Sequence, residues 1–163
     1  MSLGGLPLVL IAEDVQNDVE LLQRSFGQAG ISVVTEVVRD GEECIDYLAG
    51  RGKFANRDEY PLPDIMLLDL KMPRMDGFEA LREIRRRSEL KALRIIVLTS
   101  SEEVYDVNKA YDLGANSFLV KPLEFENYTA MMRTLSSFWL HQNKNPALER
   151  TAKNPKGGNA EKL

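Results

Sequence analysis

The stretch that decides the fold is Ile65-Met66-Leu67-Leu68-Asp69-Leu70-Lys71-Met72-Pro73-Arg74-Met75-Asp76-Gly77-Phe78. It opens as a short apolar run, the mark of a strand buried on both faces in a parallel sheet. One carboxylate, Asp69, interrupts it, and the turn formers Pro73 and Asp76-Gly77 follow. Asp69 is therefore expected where a buried strand gives way to a loop. In open parallel sheets ligands bind at that end of the strands.

Working outward, Leu8-Val9-Leu10-Ile11-Ala12 reads as a buried first strand that stops at the adjacent acids Glu13-Asp14. A helix over 16–29 follows, with Val19, Leu22, Phe26 and Ala29 along one face and Gly30 as its stop. Residues 32–38 are rich in β-branched side chains and read as strand two. Asp40-Gly41 is read as a turn, and Ile45, Leu48 and Ala49 mark a helix ending at Gly50. Residues 50–63 lose the pattern, a connection long enough to be functional or mobile. After Asp69, a helix over 77–87 buries Phe78, Leu81 and Ile84 and turns Arg82, Arg85, Arg86 and Arg87 to solvent.

Ile95-Ile96-Val97-Leu98 is a fourth buried strand ending at Thr99-Ser100-Ser101. The helix opened by Glu102-Glu103 carries Val104, Val107, Ala110 and Tyr111 on one side. Ser117-Phe118-Leu119-Val120 is strand five, ending at Lys121-Pro122. A last helix over 124–141 has a core stripe of Tyr128, Met131, Leu135 and Phe138. Met132 and Trp139 fall off that stripe, where exposure would mark a partner surface. His141, the only histidine, reads as a surface residue. Five strands alternating with five helices predict an α/β fold, a doubly wound parallel sheet with helices on both faces.

Composition sets the bounds. The 163 residues suit one domain, and 44% hydrophobic and 28% charged residues are ordinary for a soluble protein. A net charge of −4 gives no basic face for nucleic acid. No apolar run approaches the ~20 residues of a membrane span. The start lacks the basic and apolar regions of a signal peptide. A lone Cys44 cannot form an internal disulfide, which fits a cytoplasmic location, and its helical setting reads as core filler. Residues 1–7 are expected to be an N-terminal extension, 8–143 the folded domain and 144–163 a disordered polar tail.

The polar residues ending the strands are Glu13-Asp14, Asp69, Thr99 and Lys121, all at one sheet edge. Clustered carboxylates repel one another and suit Mg²⁺, which is held by carboxylates, waters and phosphate. A hydroxyl and an ammonium beside them complete the equipment for a phosphoryl group. Aspartate can carry that group covalently, and Asp69 is the natural acceptor. Each piece has a plain alternative: a helix N-cap, a turn, a strand stop. Their joint appearance at four strand ends does not.

With these motifs the chain resembles the receiver domain of bacterial two-component response regulators, from Leu8 to about Leu140. The matching residues are Glu13-Asp14, Asp69 with Met72-Pro73 and Met75-Asp76-Gly77, Thr99-Ser100 and Lys121-Pro122. The resemblance implies a flavodoxin-like (βα)5 sheet with strand order 2-1-3-4-5, and a histidine kinase as phosphoryl donor to Asp69. It implies that Glu13, Asp14, Asp69 and the backbone carbonyl of Lys71 hold Mg²⁺. It also implies that Thr99 binds the phosphoryl oxygens, that Phe118 is an aromatic switch, that Lys121 pairs with the phosphoryl group, and that Lys121–Pro122 is cis. The glutamate at position 13, where many members have aspartate, leaves metal binding intact.

Only a short polar segment follows the last helix, so the expectation is a single-domain regulator that acts on a downstream protein, or on itself as a homodimer, when phosphorylated. The 50–63 insertion and the long last helix are similar to regulators that partner bacterial phytochromes. The alternative within the fold is a pseudo-receiver that binds protein without being phosphorylated. A flavin carrier would need a Ser/Thr/Gly-rich phosphate loop where Glu13-Asp14 stands. A phosphatase of haloacid-dehalogenase type would need an aspartate at position 71, which is lysine.

Overall fold

The structure is a computed structural model that describes residues 5–146 and 148. Its centre is a five-stranded, fully parallel sheet in the order β2-β1-β3-β4-β5. The strands are β1 (Leu8–Ala12), β2 (Val34–Val38), β3 (Ile65–Leu68), β4 (Arg94–Thr99) and β5 (Ser117–Val120). The helices are α1 (Gln16–Gln28), α2 (Gly41–Ala49), α3 (Gly77–Arg86), α4 (Val104–Asp112) and α5 (Phe125–Leu135).

Because successive strand side chains point to opposite faces, the continuous apolar runs supply two cores at once. Leu10, Ala12, Met66, Leu68, Ile95 and Val97 face one way, against Cys44, Tyr47 and Leu48 of α2 and Leu81 and Ile84 of α3. Val9, Ile11, Ile65, Leu67, Ile96 and Leu98 face the other, against Leu22 and Phe26 of α1 and Tyr128, Met132 and Leu135 of α5. Cys44 is fully buried, and burial pushes its thiol well above the ordinary range.

β2 and β5 are half-buried along most of their length, because each is an edge strand with one neighbour. Several expectations are corrected. On α4 only Ala110 is buried, while Val104 and Tyr105 are 72% and 71% exposed. Periodicity marks an apolar face but cannot say whether a neighbour covers it. On the last helix the buried positions are Tyr128, Met132 and Leu135, and Phe138 is exposed. Met132, expected off the stripe, is therefore core. Past Leu135 the chain continues as a π-helical stretch, Ser136–Gln142, whose greater number of residues per turn shifts the buried face.

The 50–63 connection is packed. Phe54 is buried with its ring 5.0 Å from Tyr47 and 5.2 Å from Tyr60. Arg57 donates to the carbonyls of Tyr47, Leu48 and Tyr60 at 2.7–3.0 Å. Arg85, expected at the solvent face of α3, instead turns inward. Its guanidinium donates to the carbonyls of Leu90, Lys91, Leu93 and Gly114 and to Asn116 Oδ1, at 2.9–3.1 Å. Of the expected tail, Leu148 is half-buried against the α2–α3 side of the core. Residues 1–4, 147 and 149–163 lie outside the described residues, with most of that expectation.

Candidate functional site

The carboxyl ends of β1, β3, β4 and β5 converge, and the ladder hydrogen bonds continue one residue beyond them. Glu13 N–H donates to Val38 O (3.0 Å), Asp69 N–H to Ala12 O (3.0 Å) and Lys121 N–H to Thr99 O (2.8 Å). The first residue past β1, β3 and β5 is thereby pinned to the neighbouring strand, which sets its side chain over the sheet edge, where Thr99 ends β4. Glu13, Asp69 and Thr99 are all buried.

The alternative of Glu13-Asp14 as an N-cap is removed by the geometry: Val15 is the N-cap of α1, without a side-chain cap. Glu13 instead folds back. Its Oε1 accepts from Val15 N–H at 3.0 Å and its Oε2 from Lys121 Nζ at 2.6 Å. Lys121 Nζ also donates to Asp69 Oδ2 at 3.1 Å and to Asp18 Oδ2 at 2.9 Å. One ammonium thus uses its three donors on three carboxylates, and with all three ionised the quartet carries a net −2 before Asp14 is counted.

Burial pushes the Glu13 carboxyl up to about 7; its bonds from Lys121 and Val15 oppose this and the charge of Asp69 adds to it. Burial alone would lower Lys121, but its bonds to Glu13 and Asp18 and the charge of Asp69 hold it above the ordinary lysine range.

Ligand oxygens of Glu13, Asp14 and Asp69 lie within 4.8 Å of one another. An all-oxygen set with one exposed member, Asp14, and excess negative charge fits a hard divalent cation that keeps part of its water shell. Beside it Thr99 Oγ1 is buried and has no hydrogen-bond partner among the described residues. A buried hydroxyl without a partner is costly unless a ligand completes it. Asp14, Lys71, Thr99, Ser101 and Asp106 line an open cleft of about 520 Å³. Lys71 N–H approaches Asp69 Oδ1 at 3.4 Å, a long contact.

The β3–α3 loop is braced from both sides. Asp76, read as a turn, is the N-cap of α3, in a capping box with Glu79. Gly77 sits so close to the strand end that a Cβ there would lie 2.2 Å from Asp69 O. Arg74 holds φ 62°, in the left-handed region, and pairs with Asp40, itself the N-cap of α2 rather than a simple turn residue. Gly41 N–H donates to Met75 O at 2.9 Å.

Glu13, Asp14, Asp69, Thr99, Lys71 and Lys121 are therefore brought together as the sequence suggested. Phe118 is not among them: it pairs with Val97, two residues short of the strand end, and packs half-buried against the α2–α3 side of the core. The expected cis bond at Lys121–Pro122 is not found. Among the described residues no peptide bond is cis, and trans is the form favoured even before proline, by about 0.5–1 kcal/mol. Asp18 and Arg74 carry no local signal in the sequence, and only the fold shows their partners, Lys121 and Asp40, distant in sequence. No helix among the described residues is long and apolar enough to cross a membrane.

Comparison with known proteins gives the geometry a family. The model of the response regulator receiver domain matches residues 9–133. The probable methanogenesis regulatory protein FilR2 of Methanothrix harundinacea is 35% identical, over 85% of this chain and 87% of its own. The crystal structure of response regulator RPA3017 in red light signaling of R. palustris superposes with a TM-score of 0.84. It is 40% identical and is covered over 87% of this chain and 99% of its own. Response regulator Rcp1 of Synechocystis sp. is 33% identical over 82% of this chain and 88% of its own. Its Mn²⁺-bound structure superposes with a TM-score of 0.77, at 32% identity over 86% and 99% of the two chains. A metal-bearing relative, the acidic group at the sheet edge and the matched length lead to one conclusion: this chain belongs to the response regulator receiver domain family, the phosphoryl-accepting modules of two-component signalling.

Proposed function

We propose that Asp69 is the phosphoryl acceptor, with Mg²⁺ held by Glu13, Asp14, Asp69 and the backbone carbonyl of Lys71. The donor is the phosphohistidine of a histidine kinase. The P–N bond breaks as a bond forms from phosphorus to an Asp69 carboxylate oxygen, and the released imidazole takes up a proton. When bound, the cation neutralises charge on the transferring oxygens. The chain's own residues do the rest. Lys121 offers its ammonium to a phosphoryl oxygen, and the free Thr99 hydroxyl donates to another. Phe118 then serves as the switch residue that responds to Thr99. The observation that carries this reading is the ammonium of Lys121 3.1 Å from Asp69 Oδ2, beside the buried Thr99 hydroxyl, which has no partner among the described residues.

The output is a protein interaction rather than turnover of a separate substrate; the only reactions are the chain's own phosphorylation and dephosphorylation. Val104, Tyr105 and Tyr111 on α4, Leu123 after β5 and Phe138 after α5 are exposed large side chains, all from α4 onward in the chain. They support docking of a downstream target or a second copy of this chain. The similarity to a regulator in red light signaling supports a phytochrome-type kinase as donor, and the lone buried cysteine supports a cytoplasmic setting. The domain runs from 8 to 143, with 1–7 as an extension and 144–163 as a tail.

Intact mass after incubation with acetyl phosphate and Mg²⁺ tests this. One added phosphoryl group is expected, absent without metal and absent in Asp69→Asn. A folded wild-type chain that stays unmodified, with both this donor and a phosphorylated kinase, would make it a pseudo-receiver and refute the proposal.

A further inference from the structure

Asp18 has no part in the site as assigned above, and lies outside the carboxylate group that could hold a metal. Yet among the described residues it is one of three partners of the Lys121 ammonium. It stands in the first turn of α1, four residues after Asp14, with its side chain 29% exposed against 10% for Lys121. The other two partners, Glu13 and Asp69, are both proposed metal ligands.

That difference matters when a cation arrives. Both Glu13 oxygens are occupied, Oε1 by Val15 N–H and Oε2 by Lys121. Asp69 Oδ2 is occupied by the same ammonium. A dication that claims these oxygens displaces Lys121 and repels it. A nearly buried ammonium stripped of its anions is strongly disfavoured unless another carboxylate receives it. Asp18 is the one carboxylate of the three that the metal does not need, and it is already at 2.9 Å.

We propose that Asp18 is a positioning residue that acts through Lys121: it retains the ammonium while Glu13 and Asp69 turn to the divalent cation, and so makes room for the metal. The same contact leaves two donors of Lys121 free for phosphoryl oxygens. The inference rests on the metal reading above. A carboxylate near a cation could also help by its charge alone, without the lysine. The two origins separate in a double-mutant cycle.

The experiment is calorimetric titration of Mg²⁺ into the wild type, Asp18→Asn, Lys121→Met and the double variant, each checked for fold by circular dichroism. Should Lys121→Met not fold, Lys121→Gln replaces it. Asp18→Asn is expected to weaken Mg²⁺ binding on the order of tenfold, the scale of one charge-assisted hydrogen bond. In the Lys121→Met background the same change is expected to cost less than about twofold. Asp18→Glu, which restores the charge, is expected to recover most of the affinity. Equal losses in both backgrounds would make Asp18 a plain contributor of charge and overturn the inference, as would no loss in either. A wild type that binds no Mg²⁺ refutes the metal reading and this inference with it, whereas the first two outcomes leave the metal reading standing.

Discussion

Replacing Gly77 with alanine tests how closely α3 is pressed onto the strand end that carries Asp69. Its backbone is not left-handed, so the requirement for glycine is one of space. A Cβ at this position lies 2.2 Å from Asp69 O and 2.6 Å from Leu70 Cα, where ordinary contact begins near 3.4 Å. Both obstacles are backbone, which cannot rotate away as a side chain can. The start of α3 must therefore retreat by about 1 Å, and the 2.9 Å bond from Gly77 N–H to Leu70 O is stretched or lost. Overpacking costs roughly 1–3 kcal/mol and the hydrogen bond about 1, against less than about 1 regained from the helix preference of alanine. The net loss is about 2–3 kcal/mol, or a fall of about 1 M in the urea midpoint at a slope near 2 kcal/mol/M.

Such a loss leaves the domain folded in buffer, where stabilities run to about 5–15 kcal/mol. Phosphorylation should suffer more than folding, because the displaced carbonyl is Asp69's own and a 1 Å misplacement costs about a hundredfold in rate. Urea unfolding by circular dichroism and acetyl-phosphate labelling by mass measure the two effects. The matched control is Gly27→Ala in α1, where nothing lies within 4 Å of the added Cβ and the midpoint should hold or rise. A Gly77→Ala midpoint within about 0.2 M of wild type, with normal labelling, would refute the steric argument.

Arg85→Met should cost about 2–4 kcal/mol, because the carbonyls of Leu90 and Leu93, whose residues are fully buried, lose a charged donor. Arg85→Lys should recover little, since one ammonium cannot span five acceptors, and equal midpoints for wild type and Arg85→Met would remove its role as a clamp. For Asp40, burial raises its carboxyl, but the N–H of Glu43 and the Arg74 guanidinium outweigh it and hold it below its ordinary 3.8. A lowered acid stabilises the fold above its unfolded value and loses that contribution as pH falls through the folded one. Asp40→Asn should therefore be less stable than wild type near pH 7, with the gap closing below about pH 4 in urea titrations; a gap independent of pH would mean that the cap rather than the charge is at work. Glu13 binds a cation only when ionised, and its carboxyl sits at about 7. Mg²⁺ affinity should accordingly rise with pH across that value, and a flat calorimetric profile would show Glu13 already ionised below it. The sign for the metal-free fold is the reverse: a raised acid holds its proton longer when folded, so this group's contribution falls between about pH 4.5 and 7.

The alternation of apolar runs with helical periodicity was enough to place five strands and five helices. Two faces of burial along the same run required a parallel sheet covered on both sides. Glu13, Asp14, Asp69, Thr99 and Lys121 were legible for the same reason. Each is a polar residue that ends or directly follows an apolar strand, and in a parallel sheet all such residues land on one edge. That inference needs only the direction of the chain. The partners of Arg85, Arg74 and Asp18 were not legible. Each is a long cation or an acid on a helix or loop, where local pattern gives only solvent as a neighbour. Arg85 reaches the backbone around Leu90 and Gly114, Arg74 meets an N-cap 34 residues away, and Asp18 meets an ammonium 103 residues away. The apolar side of α4 misled in the opposite sense, since periodicity records what could be buried, while the edge position of β5 leaves most of that face without cover. The sequence by itself determined the order of elements and which residues end the strands, because these follow from local hydrophobic period. Tertiary structure alone decided which charges meet, because Coulomb and hydrogen-bond energies depend on separation in space, and the fold sets that separation among residues far apart in the chain.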